Sequence, residues 1–532
     1  MDRRRFLIAL GAGAGAAAGL AGCSDDDGTD AGPRTTARST STTTTIPVPA
    51  FEGAPFTLGV ASGDPDATSV ILWTRLAPDP LGGGGMPDEP APVRWEVASD
   101  EAFGEIVASG VAVADPAWAH SVHVTAGDLA PATWYWYRFT VGDPTTPVGR
   151  TRTTPDAEAE VERLRFGFAS CQHWESGFYN AHRDIAATED LDLMLFLGDY
   201  IYEGGARPAT PGETVRSHNS PEITDLAAYR NRYALYKGDA DLQAAHARCP
   251  WVVIWDDHEV ENNHAGDRSE DEGVDPAAFS ERRAAAYRAW YEHHPVRLDE
   301  PEGSDFPIYR SIGWGRLATF FMTDERQYRT DQACGDEVLS LDPACGEQNS
   351  EGRTLLGEAQ RTWLLDGLDQ ATSTWRVWGN QVVMSELTLG DAILNYDQWD
   401  GYPAERREIL DHVAAEGMTN LVVVTGDIHA AGVGDLTTGT AETRTVVATE
   451  LVGTSVSSGG LIPVSVQELV TDLVPAIKYV NSANRGWNLC EVTPERWTSE
   501  FRIVQDNLVD GSPVSVDATF AITPDRPGAT RV

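Results

Sequence analysis

Leu193-Met194-Leu195-Phe196-Leu197-Gly198-Asp199-Tyr200-Ile201-Tyr202-Glu203 is the stretch on which the fold turns. Five consecutive apolar residues without polar alternation fit a strand buried on both faces, as in a parallel or mixed layered sheet. The run then breaks at Gly-Asp into polar side chains. In layered α/β folds the chemistry gathers at such carboxyl ends of strands. Three more stretches have the same form. Arg165-Phe166-Gly167-Phe168-Ala169-Ser170-Cys171-Gln172 precedes a helical stretch from Tyr179 to Ala187. Trp251-Val252-Val253-Ile254-Trp255 runs into Asp256-Asp257-His258-Glu259-Val260-Glu261-Asn262-Asn263. Leu421-Val422-Val423-Val424-Thr425-Gly426 runs into Asp427-Ile428-His429.

One Gly-Asp after a buried strand caps a helix as readily as it binds a metal. Four such ends in one region carry more weight. Their carboxylates repel one another and coexist only with cations or protons. His258 and His429 add imidazoles suited to metal ligation or acid catalysis. No Gly-rich phosphate loop follows the first of these strands, which argues against a nucleotide-binding fold.

The order Gly-Asp, Asp-His-Glu, Gly-Asp-x-His on successive strand ends resembles the calcineurin-like metallophosphoesterases. The variant details resemble the PhoD-type alkaline phosphatases: Ser170-Cys171-Gln172 where Asp-x-His usually stands, Trp255-Asp256-Asp257-His258-Glu259 in place of Gly-Asn-His-Glu, and Gly198-Asp199-Tyr200-Ile201-Tyr202-Glu203. Asp324 to Arg329, Leu356 to Leu364, Asn380-Gln381 and Asn395 to Tyr402 are similar to that family as well. The resemblance implies an α/β catalytic domain, a central β-sandwich flanked by helices, over 164–510. It implies a two- or three-metal phosphoester hydrolase acting on phosphomonoesters, with diesters also within reach. Carried over, it implies Fe3+ held by Cys171, Asp199, Tyr202 and His429, since thiolate and phenolate suit a ferric ion. It implies Ca2+ near Asp199, Asn262 and Asp427, which offer oxygen donors. Asp257 joins the metal set, and the division of Asp256, Asp257 and Asn262 among individual metals stays open. His258 is the candidate for leaving-group protonation, with a positioning role as its alternative. A phospholipase D or other phosphodiesterase on the same scaffold is the nearest rival, and a surface binding protein with a decayed site is the rival of another class.

Outward from these motifs, residues 51–153 read as several short strands with turn signals between them, among them Ser69–Arg75, Val93–Val97, Val122–Val124 and Trp134–Phe139. That spacing predicts an antiparallel sandwich of fibronectin or immunoglobulin type. The Trp/Tyr run 134–137 is expected to pack one face on a core. Residues 511–532 are expected to be a C-terminal tail.

The N-terminus reads MDRRRFLIALGAGAGAAAGLAGCSDDD, with a basic start and an uncharged Gly/Ala-rich stretch. It predicts an export signal over 1–23. Arg3-Arg4-Arg5-Phe6-Leu7 resembles a twin-arginine motif, and Leu20-Ala21-Gly22-Cys23 resembles a lipobox that would lipidate Cys23. A disordered Thr/Ser/Asp-rich tether spans 24–50. These features predict an exported protein of the cell envelope or exterior that touches the membrane only through a lipid anchor. Asp and Glu number 81 against 40 Lys and Arg, a formal charge of −41. Such a surface repels nucleic-acid backbones, and it repels phosphates too unless something locally positive intervenes. The expected partners are small phosphoesters, and the expected state is a monomer. Among six cysteines, Cys334 and Cys345 bracket a short polar loop and are expected to pair.

Overall fold

A computed structural model describes residues 46–335, 340, 342–440 and 443–532. The expected signal, Cys23 and the tether up to residue 45 lie outside the described residues. Seven strands precede the first metal-type motif: β1 (Val60–Gly63), β2 (Val70–Arg75), β3 (Ala91–Ala98), β4 (Ile106–Ala114), β5 (Ser121–Ala126), β6 (Trp134–Thr140) and β7 (Gly149–Arg152). The next six are β8 (Leu164–Ala169), β9 (Leu193–Leu197), β10 (Trp251–Ile254), β11 (Arg310–Trp314), β12 (Ala318–Met322) and β13 (Trp375–Asn380). A two-residue pair, β14 (Thr388–Leu389) and β15 (Ala392–Ile393), leads to β16 (Leu421–Thr425), β17 (Ala431–Thr438), β18 (Thr445–Val452) and β19 (Ile477–Asn481). The chain closes with β20 (Arg485–Val492), β21 (Trp497–Val504), β22 (Val514–Thr523) and β23 (Arg526–Arg531).

Two large sheets organise these strands. One runs β23-β22-β21-β20-β8-β9-β10-β1-β2-β5 and the other β11-β12-β13-β16-β18-β17-β19. Their inner faces share one apolar core, in which Phe166 of the first sheet meets Phe320 of the second edge to face at 5.2 Å, and Trp497 meets Trp375 at 5.6 Å. The fully apolar runs occupy interior positions: β8, β9 and β10 pair in parallel, as do β13, β16 and β18. Every residue of β9, β10 and β16 is buried, as expected of strands covered on both faces. Parallel pairing sends their carboxyl ends to one rim, and there the four motifs meet.

Residues 51–153, expected to form an antiparallel sandwich, share one layer with the catalytic sheet. They do build two facing layers: β4-β3-β6-β7 packs Val93, Val97, Tyr135, Tyr137 and Phe139 against Val60, Val70, Leu72, Val122 and Val124 of β1, β2 and β5. But β1 pairs in parallel with β10 (Gly63 opposite Trp251), so the second layer is the far end of the catalytic sheet. Residues 46–532 accordingly form one compact unit. Alternation within 51–153 reveals strands but not a parallel partner far along the chain. The Trp/Tyr run behaves as expected. In β6, Tyr135, Tyr137 and Phe139 face the core while Trp134 and Trp136 face outward.

The supposed tail is a second departure. Residues 514–531 form the antiparallel strands β22 and β23 at the edge of the ten-stranded sheet. β22 alternates as a strand covered on one face should, with Ala518, Phe520 and Ile522 pointing inward.

Cys334 and Cys345 are joined in a disulfide, with Cα atoms 6.0 Å apart, while Cys171, Cys249 and Cys490 are free and buried. Peptide mapping without reduction is expected to recover the two cysteines as one linked pair. Cys334→Ser is expected to remove about 2–3 kcal/mol of loop stabilisation in the chain-entropy picture, read as faster proteolysis around residues 330–350. Equal protease resistance in the two proteins would refute this.

Candidate metal centre

Each strand end bends sharply. Cys171, Asp199, Asp427 and His429 all have left-handed backbones, with φ of 60, 56, 60 and 54°. Left-handed backbone is costly for non-glycine residues and concentrates at functional sites. Gly198 (φ 106°) is needed because a Cβ there would lie 2.7 Å from the Asp256 nitrogen. Neighbouring ends are stitched together: Cys171 N–H donates to the Gly198 carbonyl and Gln172 N–H to the Asp199 carbonyl, both at 3.1 Å. The Glu259 carboxylate is buried and ties two strand ends at once. One of its oxygens accepts from Asp199 N–H at 3.0 Å and Asp256 N–H at 2.9 Å, and the other accepts from Tyr200 N–H.

Three groups of potential ligand atoms result, each with its atoms within 4.8 Å of one another: Cys171, Asp199 and His429; Asp199, Asp257 and His258; Asp256, Asp257 and Asp427. Tyr202 belongs to the first group, its hydroxyl 2.8 Å from Asp199 Oδ2 and 3.1 Å from His429 Nε2. His429 Nδ1 lies 2.6 Å from the Gly459 carbonyl, to which it donates. That fixes the tautomer and turns an Nε2 lone pair inward, the usual arrangement of a metal-ligating imidazole. His258 Nδ1 sits 2.7 Å from Glu203 Oε2. Asn262 is tied elsewhere: its N–H donates to Glu203 and its Nδ2 to both oxygens of Glu270, at 2.8 and 2.9 Å.

The electrostatics ask for cations. Burial pushes the Asp199 and Asp256 carboxyls well above the usual range. For Asp199, Asp257, Glu259 and Asp427 add to the push; for Asp256, Asp257, Asp427 and Asp199 do. Burial and then Asp397 raise Asp427 to about 7. Burial raises the Cys171 thiol, helped by Asp199 and Asp427. His258 moves upward because Glu203, Asp199 and Asp257 outweigh its burial. Asp199 Oδ1 and Asp256 Oδ2 are buried without a hydrogen-bond partner. A buried carboxylate oxygen left bare is costly, and a cation is its natural partner. The donor set therefore fits metals: thiolate, phenolate and imidazole on one side, carboxylates on the other.

Arg326 was not among the expected site residues, although its run Asp324–Arg329 was noted. Its guanidinium is fully buried, with Nε on Asp256, Nη1 and Nη2 on the two oxygens of Asp397 at 2.8 and 3.0 Å, and Nη2 3.6 and 3.7 Å from Asp257 and Asp427. It is a resident countercharge at the back of the acidic group. Glu203 and Glu259 were quoted in the motifs without a role. An acidic residue next to a candidate imidazole was the available signal for Glu259; Glu203 lies 55 residues from His258 and had none.

A rim of carboxylates, imidazoles, a thiol and a phenol on a two-sheet α/β scaffold defines a phosphoric ester hydrolase with a metallophosphoesterase-like fold, and comparison with known proteins agrees. The family model described as PhoD-like phosphatase matches residues 166–501, and that of the PhoD-like phosphatase N-terminal domain matches 40–155. The chain belongs to the PhoD-like phosphatase family. It is 43% identical over 541 residues to alkaline phosphatase D of Bacillus subtilis (strain 168), covering 100% of this chain and 89% of that protein. A solved structure of PhoD superposes with a TM-score of 0.87 at 44% identity, over 91% of this chain and 93% of that one. A purple acid phosphatase from yellow lupin (Lupinus luteus) seeds shares the fold at a TM-score of 0.52 and 11% identity, over 90% of this chain and 75% of that one.

Proposed function

We propose that the chain is a metal-dependent hydrolase of the alkaline phosphatase D type, releasing phosphate from small phosphomonoesters and accepting some diesters. The observation that carries this reading is the pair of partnerless buried oxygens, Asp199 Oδ1 and Asp256 Oδ2, within converging ligand groups. Cys171, Asp199, Tyr202 and His429 would hold Fe3+. Asp199, Asp257 and Asp427 would hold Ca2+, with Asn262 offering its carboxamide oxygen, since Nδ2 is taken by Glu270. Bound there, the metals would neutralise substrate charge and acidify a water for in-line attack on phosphorus.

The chain's own residues do the rest. Glu259 holds the Asp199 and Asp256 ends in register. Glu203 orients His258 through Nδ1, leaving Nε2 to protonate the departing alkoxide. Arg326 donates to Asp256 and offsets part of what burial and the neighbouring carboxylates do to it. Residues 51–153, read as an accessory domain of fibronectin or immunoglobulin type, would support this rim through β1 rather than take part in the chemistry. The N-terminal features support export by a twin-arginine route and anchoring through Cys23. The enzyme would act as a monomer, without nucleic-acid partners. Among the described residues no helix is long and apolar enough to cross a membrane.

Purified protein is expected to contain iron and calcium and to show a visible charge-transfer band that Tyr202→Phe shifts or weakens. It is also expected to hydrolyse p-nitrophenyl phosphate faster than bis-p-nitrophenyl phosphate. A colourless, iron-free and fully active enzyme would overturn the ferric assignment. Preference for the diester would favour the phosphodiesterase reading.

A further inference from the structure

His173 follows Cys171 by two residues on the turn that leaves β8, and its backbone is held on both sides. Its N–H donates to Ser458 Oγ at 3.0 Å, and its carbonyl accepts from Ser457 Oγ at 3.0 Å. Its ring flanks the Tyr202 ring at 4.5 Å; the other imidazole on Tyr202 is His258, at 4.1 Å. His173 therefore stands beside the metal rim, yet it belongs to none of the groups able to hold an ion.

The hydrogen bonds fix its tautomer. The Glu175 backbone N–H, which can only donate, lies 3.2 Å from His173 Nδ1. Ser176 Oγ lies 3.2 Å from the same atom and accepts from Arg207 Nη1 at 3.1 Å, so its own proton turns to Nδ1. Nδ1 is thus an acceptor twice over, and the ring proton sits on Nε2. Among the described residues Nε2 has no hydrogen-bond partner, and it is not one of the fully buried atoms left without one, although the residue as a whole is only 4% exposed. A metal ligand would present a lone pair there; His173 presents an N–H. No carboxylate among the described residues accepts from it. This N–H is open to water or to an anionic oxygen entering from outside. Arg207, about half exposed, is linked through Ser176 and pairs with the buried Glu175 carboxylate at 3.9 Å.

We propose that His173 is a substrate-binding residue of this centre, its Nε2–H donating to a non-bridging oxygen of the phosphoryl group. This rests on the phosphoester reading above. The role suits a chain of net charge −41, where an incoming phosphate needs donors besides metals.

Two substitutions separate a donor from a packing role. His173→Asn keeps an acceptor near Nδ1 and removes Nε2, whereas His173→Gln carries an amide N–H toward the Nε2 position. With metal-loaded full-length protein, His173→Asn is expected to raise both KM for p-nitrophenyl phosphate and Ki for inorganic phosphate about tenfold. His173→Gln is expected to stay within about threefold of wild type, and iron and calcium contents should be unchanged in both. An unchanged phosphate Ki in His173→Asn would overturn the proposal, as would metal loss in that variant or equal weakening in His173→Gln. Calorimetric titration of inorganic phosphate reads the same difference without turnover. A wild type that binds phosphate but hydrolyses no ester would therefore count against the phosphoester reading and leave this comparison decisive.

Discussion

Asp199→Asn is expected to reduce kcat/KM on p-nitrophenyl phosphate by at least about 10^3-fold, equivalent to roughly 4 kcal/mol of transition-state stabilisation. Asp199, like Asp257, is shared by two of the three ligand groups. One of its oxygens meets Tyr202 and the other is buried and bare, while its backbone is fixed by Glu259. Asparagine keeps the shape and removes the charge, so the change tests ligation rather than packing. Metal analysis should show loss of iron first. Metal-free Asp199→Asn should unfold no earlier than metal-free wild type, because a buried, repelled carboxylate has been neutralised. Activity within tenfold of wild type would remove Asp199 from the centre.

Arg326→Met should have the largest effect on stability. The guanidinium bridges the buried Asp256 and Asp397 and stands near the buried Asp257 and the partly buried Asp427. Removing one partner of a buried ion pair leaves an uncompensated charge and typically costs about 3–5 kcal/mol. In chelator-treated protein, the unfolding midpoint should fall by roughly 3–5 °C. Arg326→Lys should recover part of this but not the two-pronged contact with Asp397. If the midpoints of Arg326→Met and wild type coincide without metal, the network does not stabilise the rim.

Much of this centre was legible in the sequence because its parts are local. An apolar run with no alternation, broken by Gly-Asp or Asp-Asp-His, carries both the strand and the residue at its end. Cys171, Asp199, Tyr202, Asp257, Asp427 and His429 could be picked out in that way, and the folded chain brings them to one rim. Asn262 shares its motif, but its described hydrogen bonds run to Glu203 and Glu270. Arg326 and His173 were not legible as site residues. An arginine after β12 acquires meaning only when Asp256 and Asp397 converge on it, and the donor role of His173 depends on which side of its ring Glu175 and Ser176 occupy. The sheet-level misreadings have a similar origin. Nothing within Val60–Gly63 or 514–531 announces a partner elsewhere in the chain; such pairing is a property of the assembled layer.

The junction of β1 with β10 also bears on how the protein comes into being on the ribosome. About 190 residues separate Gly63 from its strand partner Trp251. Strand β8, which leads into Cys171, waits longer still, for β20 (Arg485–Val492) to cover its other edge. A nascent chain emerging from the amino end thus exposes an unpaired apolar edge for most of its synthesis, an invitation to aggregation that chaperones ordinarily shield. The ten-stranded sheet is completed only once β20 to β23 have been made. Products cut before β20 therefore leave β8 without the strand that covers its edge, and a segment remote from the metals in sequence is a condition for building the rim that holds them.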